Sequence, residues 1–233
     1  MWERGDAMGL ISYLRNRQPL SQYKKLRETG RNLNNALVDR IPKDAIMECA
    51  KKLGLRKGKR LLLDNEHAVA VLLDYCLYTY TRGGKNFVEK SLEYAPLGDT
   101  SDEVALLRAM TKAHYSVFLL EQVEKGVGGT LFDILRHERL RLIDIGIGSS
   151  AVRGMFFAGR LLPLGECYMT SGAFVPLPPQ LFERIVIPAL EKFCGDAHAE
   201  ESVVLSPAQE AAFSGQIIRA ALKAGALERI GYV

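Results

Sequence analysis

SVFLLEQVEKGVGGTLFDILRHERLRLIDIG at 116–146 and MFFAGRLLPLGECYMTSGAFVPL at 155–177 decide the fold. Both are rich in β-branched and aromatic residues and are cut at short intervals by glycine, the pattern of short strands joined by tight turns. SVFLLEQV, TLFDILR and RLRLIDI read as three strands, separated by the turn EKGVGG and a tight connection at His137-Glu138. MFFAGRLLPL is a fourth strand with a bulge or bend expected at Gly159, and Gly165-Glu166 turn it into CYMTSGAFVPL. GIGSSAVRG, between the third and fourth strands, is expected to be a loop. Five or six short strands without intervening helices predict an antiparallel sheet rolled toward a barrel. They exclude a parallel Rossmann sheet, whose strands need long crossovers.

The flanks are helical. Helices are expected at Ala7–Arg15 and at Ser21–Arg40 with a break at Gly30, followed by one opened by Pro42 and stopped by Gly54. Asp64 is expected to cap a helix running to about Thr81, apolar nearly all round and so destined for the middle of a core. Phe87–Tyr94 and Ser101–His114 are two more. After Leu177 a proline-started helix should kink at Pro188, and the capping box Ser206-Pro207-Ala208-Gln209 opens the last helix. The fold class is α+β: a helical region at 1–115, a small antiparallel barrel-like module at 116–177, and C-terminal helices at 178–233 packing on the rest.

Composition bounds the function without naming it. Of 233 residues, 48% are hydrophobic and 25% charged, the balance of an ordinary globular chain. No apolar run approaches the roughly 20 residues of a membrane span, and MWERGDAMGL lacks the apolar core of a secretion signal. A cytoplasmic setting without membrane contact is expected. Cys49, Cys76, Cys167 and Cys194 form no C-x-x-C, so reduced thiols are expected, with no metal and no cofactor.

The segment from Val117 through Pro179 resembles a module of about 60 residues found in uncharacterised bacterial proteins, some of which also carry an SEC-C zinc motif. The matching residues are Leu131, Asp133, Ile134 and Leu135, then Pro163, Leu164 and Gly165, then Ser171, Gly172, Pro176 and Leu177. The chain departs from that pattern at GIGSSAVRG and has no SEC-C cysteine cluster. The resemblance implies the β module and brings no activity with it.

Charge is uneven. Residues 1–60 hold 15 Lys and Arg against 6 Asp and Glu, while the whole chain carries only +4. The cations cluster at Arg15 and Arg17, at Lys24, Lys25 and Arg27, and at Arg56, Lys57, Lys59 and Arg60. Clustered cations displace counterions from phosphates, so these nine are the candidate contacts for nucleic acid or another polyanion. A solvated surface, or a face turned to a protein partner or to the acidic half, explains the same skew.

Catalytic residue types are densest at Asp64, Glu66 and His67. A carboxylate and an imidazole three residues apart on a helix could serve as acid and base, or join a metal site. A cap, a dipole partner and a surface histidine account for them more simply. Gly126–Gly129 lacks the helix a phosphate cradle needs, and GLRKGKR at 54–60 has Arg60 where a P-loop needs Ser or Thr. Asp133 and Asp144 are expected to point inward and pair with Arg139, Arg141 or Arg160. The expectation is therefore a non-enzymatic binding or regulatory protein, the alternative a metal-dependent enzyme built around Asp64, Glu66 and His67.

Overall fold

The computed structural model describes residues 19–95, 101–195 and 201–227. The helices α1 (Pro19–Val38) and α2 (Lys43–Leu53) lead to a small hairpin, β1 (Arg56–Lys57) and β2 (Arg60–Leu61), and then to α3 (Glu66–Thr79), α4 (Phe87–Glu93) and α5 (Asp102–Thr111). The barrel strands are β3 (His114–Glu124), β4 (Gly128–Asp133), β5 (Glu138–Ile143), β6 (Phe156–Leu164) and β7 (Cys167–Thr170), with a short α6 (Ile145–Ser150) between β5 and β6. A sixth strand, β8 (Val175–Leu177), precedes α7 (Pro179–Leu181), a π turn (Phe182–Val186), α8 (Ile187–Cys194) and α9 (Pro207–Lys223). The chain is α+β, with helices on both sides of a barrel in sequence.

The five-stranded ring closes because β3 is long enough to serve two neighbours. Its first half pairs with β6 and its second half with β4. The order is β3-β4-β5-β7-β6 and back to β3, with β8 added along β6 at residues 156–158. A closed ring of five strands cannot alternate direction all the way round, so one pair must run parallel. That pair is β5 and β7, in register at Leu142 and Tyr168, which corrects the all-antiparallel expectation. First strand beside fourth, third beside fifth, and a helix between third and fourth is the connectivity of an OB-type barrel.

Alternation along the strands sorts two cores. Phe118, Leu120, Leu131, Leu140, Leu142, Phe157, Leu161 and Phe174 fill the barrel. The opposite face of β3 and β6, with Tyr115, Val117, Ala158 and Leu162, is covered by helices and joins the larger core with Leu26, Leu72, Cys76, Leu106 and Phe213. The helices therefore share one apolar core with the outer face of the barrel, and the barrel interior holds a second.

Several local expectations change. Gly30 does not break α1; a Cβ there would just touch Met169 and Leu106, so the glycine lies where the helix meets its neighbours. The cap of α3 is Asn65, whose Oδ1 accepts the Ala68 N–H at 2.8 Å, and not Asp64. His114 is already in β3, because α5 ends at Thr111. GIGSSAVRG is partly helical: Asp144 caps α6 by accepting the Ile147 N–H at 3.1 Å. Gly159 makes no bulge; the irregularity lies in β3 between Leu120 and Gln122. Before Pro188 the chain widens into the π turn, which absorbs the missing N–H and the ring's crowding of the preceding turn. The helix expected at Ala7–Arg15 lies outside the described residues.

Candidate functional site

The basic hairpin grows from the end of α2. Gly54 adopts φ 76°, which closes the helix and turns the chain out. Gly58 at φ 61° forms the tip between β1 and β2. Arg56 is partly committed to the fold, donating through Nε to the Gly58 carbonyl at 2.6 Å and through Nη1 to the Met47 carbonyl at 3.4 Å. Lys57, Lys59 and Arg60 are exposed, and no ion pair engages them among the described residues. Leu61 and Leu62 beside them are 36% and 43% exposed, so the hairpin offers both charge and apolar surface. Lys52, at the base, pairs with Glu48 at 2.9 Å and accepts through its carbonyl from Arg219 of α9.

The other basic clusters fare differently. Lys24 is exposed, and Lys25 pairs with Asp102 at 2.9 Å. Arg27 is half-buried and donates to the carbonyl and hydroxyl of Thr170, with Asp144 3.9 Å away. It fastens α1 to the barrel. Arg15 and Arg17 lie outside the described residues.

Asp64, Glu66 and His67 do not converge on one cavity. Asp64 is exposed at a cleft of about 400 Å³ between the end of α2 and α9, beside Leu53, Arg219 and Lys223. Glu66 is exposed at the rim of a separate cavity, and His67, half-buried, lines neither. Glu66 and His67 are consecutive residues of the first turn of α3 and so point about 100° apart, and Asp64 precedes the helix.

The two inward aspartates find other partners than the expected arginines. Asp133, fully buried, accepts from Ser116 and from the backbone N–H groups of Leu135 and Arg136, and contacts His114 Nε2 at 2.9 Å. Asp144 accepts from the Thr170 hydroxyl at 2.7 Å. Arg139 and Arg141 point outward on β5 and pair with Glu121 and Glu124. His114, Asp133 and Glu138 lie close enough together to be metal-ligand types, but the His114–Asp133 contact and three further donors already occupy the carboxylate.

Arg160 is the charge that the helices bury. It lies on the outer face of β6 at 1% exposure, its Nε 3.4 Å from Asp74 on α3 and its Nη1 on Glu210 of α9. Its guanidinium sits over the rings of Tyr78 and Tyr115 at 4.5 and 5.6 Å. Burial disfavours its charge, and Glu210 and Asp74 more than offset this, holding its pKa above the usual value. Burial pushes the Asp74 carboxyl up, opposed by Arg160 and the neighbouring Ser171. Neither Asp74 nor Glu210 is evident as a site residue from sequence. The available signal is a carboxylate inside the otherwise apolar AVAVLLDYCLY of α3.

A raised carboxyl pKa has a defined consequence. Folded Asp74 holds its proton more tightly than the unfolded chain does. Its contribution is thus full below the ordinary carboxylate pKa and is lost as pH rises through the folded value. Asp74→Asn, compared with wild type by thermal melting from pH 4 upward, should gain relative stability as pH rises. A difference that shrinks with rising pH would contradict this.

Beside Asp74 opens a cavity of about 380 Å³ between α1, α3, α5 and the β6–β7 side of the barrel. Its walls are mostly apolar, from Val38, Val69, Leu73, Leu106, Met110 and Met169. Asp74, Tyr78 and Ser171 supply polar groups; Arg31, Asn35 and Glu66 are exposed at the rim. The Tyr78 hydroxyl is buried and has no hydrogen-bond partner among the described residues. The chain matches DUF7986, a family of unknown function, over residues 17–200. It belongs to that family. The matched span takes in every barrel strand, the hairpin, Arg160 and the residues lining the cavity, whereas α9 with Glu210 lies beyond it. No curated protein and no solved structure matches the chain. Among the described residues no helix is long and apolar enough to cross a membrane.

Proposed function

We propose that this DUF7986 member is a non-enzymatic binding protein of the bacterial cytoplasm that holds nucleic acid through its basic hairpin. The observation carrying this is the hairpin itself, where Lys57, Lys59 and Arg60 stand exposed on a two-stranded ribbon with no ion pair among the described residues. Cations held away from carboxylates keep their full charge for phosphates, and a projecting ribbon can follow a groove. The barrel supports the same reading by fold analogy, since OB-type barrels often serve as oligonucleotide platforms. Phe132, half-exposed on β4 with the Arg139 guanidinium 5.4 Å from its ring, is a stacking surface of the kind such platforms use. The bacterial setting rests on the module resemblance at Val117–Pro179, and the cytoplasmic one on four cysteines outside any disulfide.

Binding of this kind should be steeply salt-dependent with little sequence preference. Changing Arg56, Lys57, Lys59 and Arg60 together to glutamine should lower the slope of log affinity against log salt by about 3 on duplex DNA, since each neutralised phosphate contributes about 0.9. The melting temperature should stay close to wild type, because Lys57, Lys59 and Arg60 are exposed and Arg56 gives up contacts to the Gly58 and Met47 carbonyls at the surface. Electrophoretic shifts and heparin retention measure both. A wild-type protein that neither binds heparin nor shifts DNA or RNA at low salt overturns the reading and leaves the hairpin as a docking face for a protein.

A further inference from the structure

We propose that the 380 Å³ cavity between α1, α3, α5 and the barrel binds a small organic acid with an apolar body and a hydroxyl at its far end. The volume lies within the range of ligand pockets, and apolar walls with a few converging polar groups are their usual construction. The depth of each polar group assigns the ends of the ligand. Tyr78 and Asp74 lie at the buried end, next to Arg160, whereas Arg31 is exposed at the rim.

At the buried end the hydroxyls of Tyr78 and Ser171 both lack a hydrogen-bond partner among the described residues. The Tyr78 hydroxyl has no acceptor among the described residues, and a buried hydroxyl without one is costly. Burial raises the pKa of both Tyr78 and Asp74, which keeps the phenol neutral and able to donate. A ligand hydroxyl can accept from Tyr78 and donate to Asp74 at once, which neither a methyl group nor a carboxylate can do. At the rim, Arg27 shares its charge with Asp144, and Arg31 is the cation left for a ligand carboxylate, with Glu66 the rim group opposing it. The walls between, from Val69 and Leu73 of α3 to Leu106 and Met110 of α5, fit a hydrocarbon body.

Calorimetric titration with 8-hydroxyoctanoate and with octanoate tests this on the full chain. Wild type should bind 8-hydroxyoctanoate about 3- to 10-fold tighter, the effect of one net hydrogen bond. Tyr78→Phe should erase that preference while leaving octanoate unchanged. Arg31→Gln should weaken both acids about 2- to 5-fold, and Glu66→Gln should tighten both. Ala70→Trp, which fills the cavity, should abolish binding; should it fail to fold, Tyr78→Phe carries the test. No saturable binding of 8-hydroxyoctanoate at millimolar concentration, or equal affinity for the two acids in wild type, overturns the proposal. The glutamine variant of the hairpin should bind 8-hydroxyoctanoate as wild type does, so failure of this site and failure of the nucleic-acid reading are separate results.

Discussion

Arg160→Met should cost about 3–5 kcal/mol in urea unfolding. Arg160 is among the largest fully buried side chains and the cation between Asp74 and Glu210. Without it two carboxylates remain in a water-poor interior, and one or both must take up a proton or draw in water. Methionine replaces much of the arginine stem, so lost packing is a minor part of the effect. A second measurement separates charge from volume. Adding Asp74→Asn and Glu210→Gln to Arg160→Met should recover most of the loss, because neutral residues no longer need a buried cation. If Arg160→Met costs under about 1 kcal/mol, or the triple variant is no better than the single, Arg160 is not the electrostatic link between α3, β6 and α9.

Gly159→Ala should destabilise by about 1–3 kcal/mol, as overpacking does in a filled core. The residue sits mid-strand in β6 opposite Ser116, with side-chain space pointing into the barrel. An added Cβ would lie 2.3 Å from Cδ2 of Phe174 and 2.8 Å from its Cε2. That ring cannot easily retreat, because it stacks on Phe118 at 5.5 Å and on Phe157 at 5.9 Å between centroids. Phe174→Leu should cost stability alone by leaving a void, yet cost less in the Gly159→Ala background. The double-mutant cycle by chemical denaturation should therefore give a favourable coupling. Strict additivity would place the strain elsewhere.

These two positions mark the boundary of what the amino-acid order reveals. That 116–177 would be strands was legible because β-branched runs and glycine punctuation are local signals, as were the Ser206-Gln209 capping box and the proline start after Leu177. The cap at Asn65 was not, because Asp64 and Asn65 are equally good capping types and only the backbone path chooses between them. Gly159 looked like a bulge because a glycine in a strand states only that something comes close. That the something is Phe174, arriving from beyond β7, is a tertiary fact.

The candidate site divides in the same way. Clustering of cations at 56–60 is visible in the chain, and the hairpin keeps it intact because neighbours in sequence stay neighbours in a two-stranded ribbon. Arg27 read the same as Lys24, yet one is fastened to Thr170 and the other is exposed, a difference set by which face of α1 meets the barrel. The sequence by itself determined the helical flanks, the strands and the sign of the exposed hairpin, since each depends on residues within a turn or two of one another. Only the tertiary structure decided the barrel's closure with one parallel pair, the burial of Arg160 between Asp74 and Glu210, and the cavity beside Tyr78. Each of those joins segments far apart in the chain, and long-range packing leaves no periodic trace in local sequence.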